Sequence, residues 1–559
     1  MSVTGAGVRR QPTGWPWLAL AVLLALLVVW PLARLLGQVF GDGLDAFRRL
    51  ADYPGLGAAY VNTLVISLGG VALALVAGTG LAWCTTRVPP RLRTLVAAAP
   101  VLPLVMPSVA SVEGWQYLLA PRTGLLNRTL RDLGLGSGAA GPLDIQSLPG
   151  IVLLSGSILT SFVYLFVTAS LRQRGAELEA AAAACGAGPW RTFLTVTLPM
   201  LRPALVYSGV ITFLLALGQF TVPLLLGGPR RIEVVSTVIY RVSAEYPVDY
   251  GLGGAVALPL LVIGVGLVAV QRRALRDEQR YVAVSGRTRQ VGIRTSWWAC
   301  VPVLGYLVVA VVLPLFALIV VSLSPYWSGQ VNPSVFTTDN WVQALADPKT
   351  TSAISTTAAA VGFTLLLVLP LGYLTALSLI GRTRVPRAVR TGIDLLSSIS
   401  LCLPAALLGF ALLLTYSSPP VRLYGTTAMV VVAYVTLMLP FALRPQLSSL
   451  QATGPEYGEA SRASGAGPLA TALRVTFPLI RNGLGVSAAL VTIIVVHEFA
   501  VSLLVTSPQR RVIGSLLYDA TNSGIAPQVA VLALLMVLLT VAGMTVALLL
   551  GGRHSLQRL

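Results

Sequence analysis

Twelve apolar runs of membrane length constrain this chain more than anything else in it; they fall near residues 17–39, 61–85, 93–119, 149–171, 203–227, 252–271, 297–323, 353–380, 392–416, 424–447, 482–506 and 528–551. A run of 18 or more apolar residues reads as a membrane span, and within a bilayer only helices and closed barrels satisfy every backbone polar group. The expectation is an all-α polytopic membrane protein of about twelve transmembrane helices. Composition agrees, since 11% of the 559 residues are charged, less than half the usual share of about 25% in soluble domains.

A net charge of +19 in a soluble protein would suggest nucleic acid, but here topology absorbs it. With the N-terminus inside, the loops on that side hold 26 of the 39 basic residues and 7 of the 20 acids, whereas the opposite loops hold 12 basic residues and 11 acids. That asymmetry orients the chain with both termini in the cytoplasm and leaves no basic surplus for a nucleic-acid partner. The stretch from Trp17 to about Gln38 is longer than a signal-peptide core and reads as a retained first helix, with Arg9 and Arg10 as its inner anchor rather than a twin-arginine export signal. Cys84, Cys185, Cys300 and Cys402 share no close spacing, so neither a disulfide framework nor a zinc site is implied. Arg272 to Ser296, polar and without apolar periodicity, reads as a linker between spans six and seven.

That linker sits at mid-chain, and the chain repeats across it. Sliding Glu177–Leu201 by 279 residues onto Glu456–Ile480 gives 12 identities in 25 positions without a gap, among them Ala181/Ala460, Gly186/Gly465 and Pro199/Pro478. The match runs on to Gln219-Phe220 over Glu498-Phe499, and an upstream match at an offset of 297 pairs Arg87-Val88-Pro89 with Arg384-Val385-Pro386 and Pro107 with Pro404. The expected domains are residues 1–280 and 281–559, two homologous halves of six spans. Six is even, so the halves share one orientation and a pseudo-two-fold axis along the membrane normal.

The strongest repeat is a loop on the arginine-rich side, about 172–202 in the first half and 451–481 in the second. Packing faces explain a repeated span; a repeated exposed loop points instead to a repeated partner. Glu177–Cys185 and Glu456–Ser464 begin with acids and end in Gly-Ala-Gly-Pro, the signature of a short helix stopped by a glycine turn.

At these residues the chain resembles the EAA loop of permease subunits of ATP-binding-cassette importers: Glu-Ala-Ala, three residues, Gly, then Leu-Pro about a dozen residues on. The second half carries Glu459-Ala460-Ser461, Gly465 and Phe477-Pro478; the first departs, with Ala180 in the place of the pattern's Glu and Glu179 one residue early. The resemblance covers nearly the whole chain as two fused type I permease units, and is nearest to fused ferric-iron and thiamine permeases through Leu102-Pro103 with Pro107, Gly425, and Phe336 with Asn340-Trp341. It implies a transport subunit of a bacterial cytoplasmic membrane with two ATPase partners on the coupling loops, through Glu177, Glu179, Ala181, Gly186, Pro199, Glu456, Glu459, Ala460, Gly465 and Pro478. It also implies an external solute-binding protein that delivers a small solute, with ferric iron favoured, then thiamine, polyamine or phosphonate. No phosphate-binding Gly-x-x-x-x-Gly-Lys-Ser/Thr loop occurs, and the single lysine, Lys349, stands in Ala-Asp-Pro-Lys-Thr-Thr. ATP and Mg therefore belong to the partner ATPase, and no cofactor is expected on this chain.

Two other classes share some of these features. A secondary transporter also has 6+6 spans, but it would place ionisable relays at mid-membrane and a basic motif between spans two and three, where Thr86-Arg87-Val88-Pro89-Pro90-Arg91 is merely basic. A membrane enzyme lacks material: His497-Glu498-Phe499-Ala500-Val501 begins like His-Glu-x-x-His but ends in valine. Acids inside spans are costly and by default face a bundle interior or water. Glu113 and Glu498, with Gln219 as the repeat equivalent of Glu498 and His497 beside it, are the candidate translocation pathway, and the absence of lysine or arginine at that depth favours a cationic passenger.

Overall fold

A computed structural model describes residues 14–41, 43–135, 141–173, 176–278, 295–380 and 385–551. Among them the regular structure is helical, with one isolated bridge between Ser507 and Arg510. Eight helices are long and apolar enough to cross a membrane unbroken: Trp15–Gly41, Leu56–Thr86, Leu148–Leu171, Tyr250–Leu267, Trp297–Ser322, Pro348–Leu379, Thr427–Ala452 and Ala526–Ala547. The other four expected spans are bent pairs, so the count reaches twelve when each pair is one span.

The bends come in matched couples. Spans three and nine turn by 90° between Pro90–Leu104 and Ser108–Leu119, and by 108° between Arg387–Ser400 and Ala405–Ser417. Pro107 and Pro404 stand immediately before the second helix of each couple. Proline offers no N–H to the preceding turn and drives the residue before it out of helical geometry. Spans five and eleven turn by 68° and 73° where the coupling loop enters the span. They then break again: Arg202–Leu217 gives way to Thr221–Gly227, and Arg481–His497 to Ala500–Val505. The expected runs 203–227 and 482–506 are each two helices, and a continuous apolar pattern cannot register a break whose two arms are both apolar. The sixth span also runs further than expected, as a helix Tyr250–Glu278 that takes in the start of the anticipated linker, whose residues 279–294 lie outside the described ones.

The halves repeat down to single hydrogen bonds. Thr63 Oγ1 on the second span accepts from Val235 N–H at 3.0 Å, and Thr357 Oγ1 on the eighth accepts from Ile513 N–H at 3.0 Å. Val235 and Ile513 open the corresponding helices Val235–Ala244 and Ile513–Ser523. The halves also embrace: the first span packs on the bent ninth, and the seventh packs on Ser108–Leu119 of the bent third. Gly114 makes that last crossing possible, because a Cβ there would lie 2.5 Å from the Pro314 carbonyl oxygen.

Candidate coupling loops and central pathway

The first coupling loop starts with the helix Ala176–Ala184, AELEAAAAA, a run of the strongest helix formers. The second starts with Glu456–Ala463, whose Glu456 and Glu459 stand in the first turn, where a carboxylate favours the helix dipole. Both end in the same turn. Gly186 N–H donates to Ala183 O and Ala187 N–H to Ala182 O, each at 3.0 Å; Gly465 N–H donates to Arg462 O at 3.0 Å and Ala466 N–H to Ser461 O at 3.1 Å. This pair of bonds requires a left-handed residue after the helix, and the φ angles are 83° at Gly186 and 84° at Gly465. Next come matched π-helical turns, Phe193–Thr197 and Ala472–Thr476, which lead into Pro199 and Pro478.

What these loops present outward is also repeated. Ala181, Gly186, Glu456, Glu459, Ala460 and Gly465 are exposed, and so are three pairs of large apolar side chains at the 279-residue offset. These are Leu178 with Tyr457, Trp190 with Leu469, and Leu194 with Leu473, exposed by 55%, 55%, 62%, 72%, 45% and 56% in that order. Small residues flanked by bare apolar side chains, twice over on one side of a bundle, make a surface suited to two copies of a partner. Glu177 lies in the first turn of its helix.

Glu179 faces the other way. Its carboxylate accepts from the Arg87 guanidinium at 2.8 Å and from Thr197 Oγ1 at 2.7 Å, and the two charged side chains are only 12% and 11% exposed. Arg87, just past the end of the second span, also lies 4.1 Å over the Trp83 ring, and Trp83 packs edge-on to Trp190 and tilted on Phe193. Burial pushes the Arg87 pKa down while the Glu179 charge pulls it back up. Removing one partner of a pair this buried costs about 3–5 kcal/mol. Glu179, grouped with the ATPase-facing residues by its place in the loop, is therefore engaged inside its own half. The sequence held no sign of this, since Arg87 stands 92 residues away among other loop arginines.

At the opposite end of the bundle the breaks of spans five and eleven meet. Phe220 and Phe499, repeat equivalents and each 2% exposed, have ring centroids 5.8 Å apart. Each also packs on a tyrosine, Phe220 on Tyr240 at 5.8 Å and Phe499 on Tyr518 at 6.0 Å, and the two tyrosines contact each other at 5.8 Å. A residue can touch its own repeat equivalent only close to the axis relating the halves, so these four rings mark that axis. Phe220/Phe499 was already matched in the sequence; carrying the comparison on to Tyr240 and Tyr518, at an offset of 278, would have found the other pair.

The candidate pathway residues sit around this point with defined partners. Glu498 Oε1 accepts from Val501 N–H at 2.8 Å, so the carboxylate caps the short helix Ala500–Val505. Gln219 occupies the matching break, its main-chain carbonyl accepting from Ser236 Oγ at 2.6 Å. His497 Nε2 pairs with Thr540 Oγ1 at 3.0 Å. Glu113, 1% exposed, accepts from Thr521 Oγ1 of the other half at 3.2 Å, and so is part of the joint between halves.

Paired bent spans, a repeated exposed loop and rings meeting on the axis define a two-unit transport permease. The chain belongs to the binding-protein-dependent transport system inner membrane component family, whose sequence profile matches residues 70–276 and again 368–555. It is 25% identical over 504 residues to the ferric transport system permease protein FbpB of Actinobacillus pleuropneumoniae, covering 87% of this chain and 70% of that one. With a probable ABC transporter permease protein, y4fN, of Sinorhizobium fredii it shares 25% identity over 97% of both chains. A putative 2-aminoethylphosphonate transport system permease protein, PhnU, of Salmonella choleraesuis is 28% identical across 46% of this chain and 91% of its own.

Proposed function

We propose that this chain is the two-unit membrane pathway of an ATP-driven, binding-protein-dependent importer, and that its passenger is a small solute, preferably a cation: ferric iron before thiamine or a polyamine, with an anionic phosphonate last. One observation carries the reading: the same coupling helix, glycine turn and exposed apolar triplet occur twice on the arginine-rich side, at 176–184 and 456–463. Two ATPase subunits grip these helices from the cytoplasm, and an external binding protein delivers the solute to the end where Phe220 and Phe499 close the axis. In this arrangement the breaks at Gln219 and Glu498 are the parts of the bundle free to rearrange, because a helix interrupted there changes direction without unwinding. The preference for ferric iron follows the ferric transport relatives, which align along 87% of the chain. The cationic preference also draws on Glu498, a carboxylate beside the axis that accepts from Val501 N–H.

Reconstitution with the partner ATPase and binding protein tests this. Uptake of ferric iron that needs ATP and all three components supports the reading. Uptake of thiamine, polyamine or phosphonate in its place corrects the substrate alone, and uptake driven by an ion gradient without the ATPase overturns the importer.

A further inference from the structure

The two coupling helices are alike in backbone but not in attachment. In the first half, Glu179 lies within the helix Ala176–Ala184 and is bound on one side to Arg87, at the end of the second span, and on the other to Thr197, in the π-helical turn that leads into span five. One carboxylate thereby joins the coupling helix to two spans. At the matching place in the second half stands Gly458, which has no side chain to do so. Thr476, the equivalent of Thr197, meets no carboxylate among the described residues: it donates to Thr471 O at 3.3 Å within its own turn and is hydrogen-bonded by Tyr373 of span eight. Among the described residues, the side-chain hydrogen bonds of Glu456–Ala463 stay within the loop: Ser461 pairs with Thr471 at 3.0 Å, and Arg462 donates to Gly458 O at 3.1 Å. Further along, the Tyr373 hydroxyl of span eight donates to Ala472 O at 3.0 Å, beyond the coupling helix itself; Arg384, the repeat equivalent of Arg87, lies outside the described residues.

We infer that Arg87, Glu179 and Thr197 form a latch that makes the first coupling helix a rigid extension of the second and fifth spans, while the second coupling helix moves on its loop. The two ATPase sites are then served by unequal levers. Motion at the first is passed straight to the bundle, and motion at the second is partly taken up by the loop. An ion pair shielded from water is suited to this role, since it is directional and weakly screened by salt, and Trp83 over the guanidinium holds Arg87 in place. These are positioning residues; they act through the helix that the partner touches. The inference rests on the reading of the two loops as ATPase docking sites.

The test uses the full transporter in vesicles, with amide hydrogen exchange and the ratio of solute taken up to ATP hydrolysed as readouts. In the parental protein, amides of residues 178–184 exchange more slowly than those of 457–463. In Glu179→Gln, which keeps an oxygen for Thr197 but loses the charge, exchange in the first helix rises to that of the second, and uptake per ATP falls about tenfold, with the ATPase still co-purifying at the parental ratio. Arg87→Glu alone and Glu179→Arg alone behave alike, and the double reversal recovers most of the coupling ratio. Equal exchange in the two parental helices, or a parental coupling ratio in Glu179→Gln, overturns the latch. If the charge reversals fail to reach the membrane, the Glu179→Gln comparison decides the matter by itself. Gly465→Arg separates the two claims: if it abolishes uptake while Glu179→Gln does not, the latch falls and the docking reading stands. If it transports at the parental rate, the docking reading has failed.

Discussion

Gly186 and Gly465 end their helices at φ angles of 83° and 84° with the same two backbone hydrogen bonds, yet the helices they end are anchored by different chemistry. The first is held by the buried pair Arg87 and Glu179 under Trp83; the second has Gly458 in the matching place and Tyr373 on Ala472 O further along. The contrast separates two demands on one segment. The turn and the exposed apolar triplet face outward and are kept alike in both halves, whereas the inward anchor has to satisfy only its own half and has diverged.

The largest expected effect breaks the shared part. Gly465→Arg forces a side chain into a left-handed conformation, a strain of about 1–2 kcal/mol, and projects it into open space where a partner would sit, since nothing lies within 4 Å of a Cβ there. Uptake should drop to background with the amount of protein in the membrane unchanged, and Gly186→Arg should match it. Normal uptake by either variant would show that the turn is not needed for docking.

Next in size is a second place where the halves are alike. Phe220→Ala and Phe499→Ala each remove a buried ring, a loss of about 3–5 kcal/mol for a core aromatic, and because the rings touch one another the two variants should lower the thermal unfolding temperature equally. A clear inequality would mean that the contact does not lie on the axis.

The divergent part gives a paired prediction. Glu179→Ala strips the carboxylate from a buried pair and should destabilise the permease by about 3 kcal/mol, read by thermal unfolding, with little loss of ATPase co-purification. Exposed Glu459→Ala should do the reverse, weakening co-purification and sparing the unfolding temperature. If both variants act on the same readout, the anchors do not differ in the way described. Smallest is Glu498→Gln, which keeps an oxygen to cap Val501 N–H and removes only the charge. It should slow ferric uptake modestly at unchanged membrane level, and Glu113→Gln should do so less. Parental rates in both would leave these acids as structural groups and remove the argument from charge for a cationic passenger.

Much of this was readable beforehand. Span number and the six-plus-six repeat follow from hydropathy and self-similarity, and the turn at Gly186 and Gly465 follows from Gly-Ala-Gly-Pro after an alanine-rich run, because only glycine takes that φ without strain. The breaks after Leu217 and His497 were not, since both arms of each break are apolar and hydropathy averages over them. The Glu179 pairing was hidden for a different reason: a carboxylate in an arginine-rich set of loops has many possible partners in sequence, and only the fold selects Arg87.

The central claim is that the two loops are equivalent docking sites for two copies of an ATPase, and the chain supplies its own probe. Cys185, exposed at the end of the first coupling helix, is the repeat equivalent of Ser464 in the second. A short cross-linker that is thiol-reactive at one end and photoreactive at the other, applied to the assembled transporter, should join Cys185 of the otherwise unaltered chain to the ATPase. The variant Cys185→Ser/Ser464→Cys should form the same product with similar yield, and ATP-driven uptake should stop in both. A cross-link at only one of the two positions, or at neither, would contradict the account.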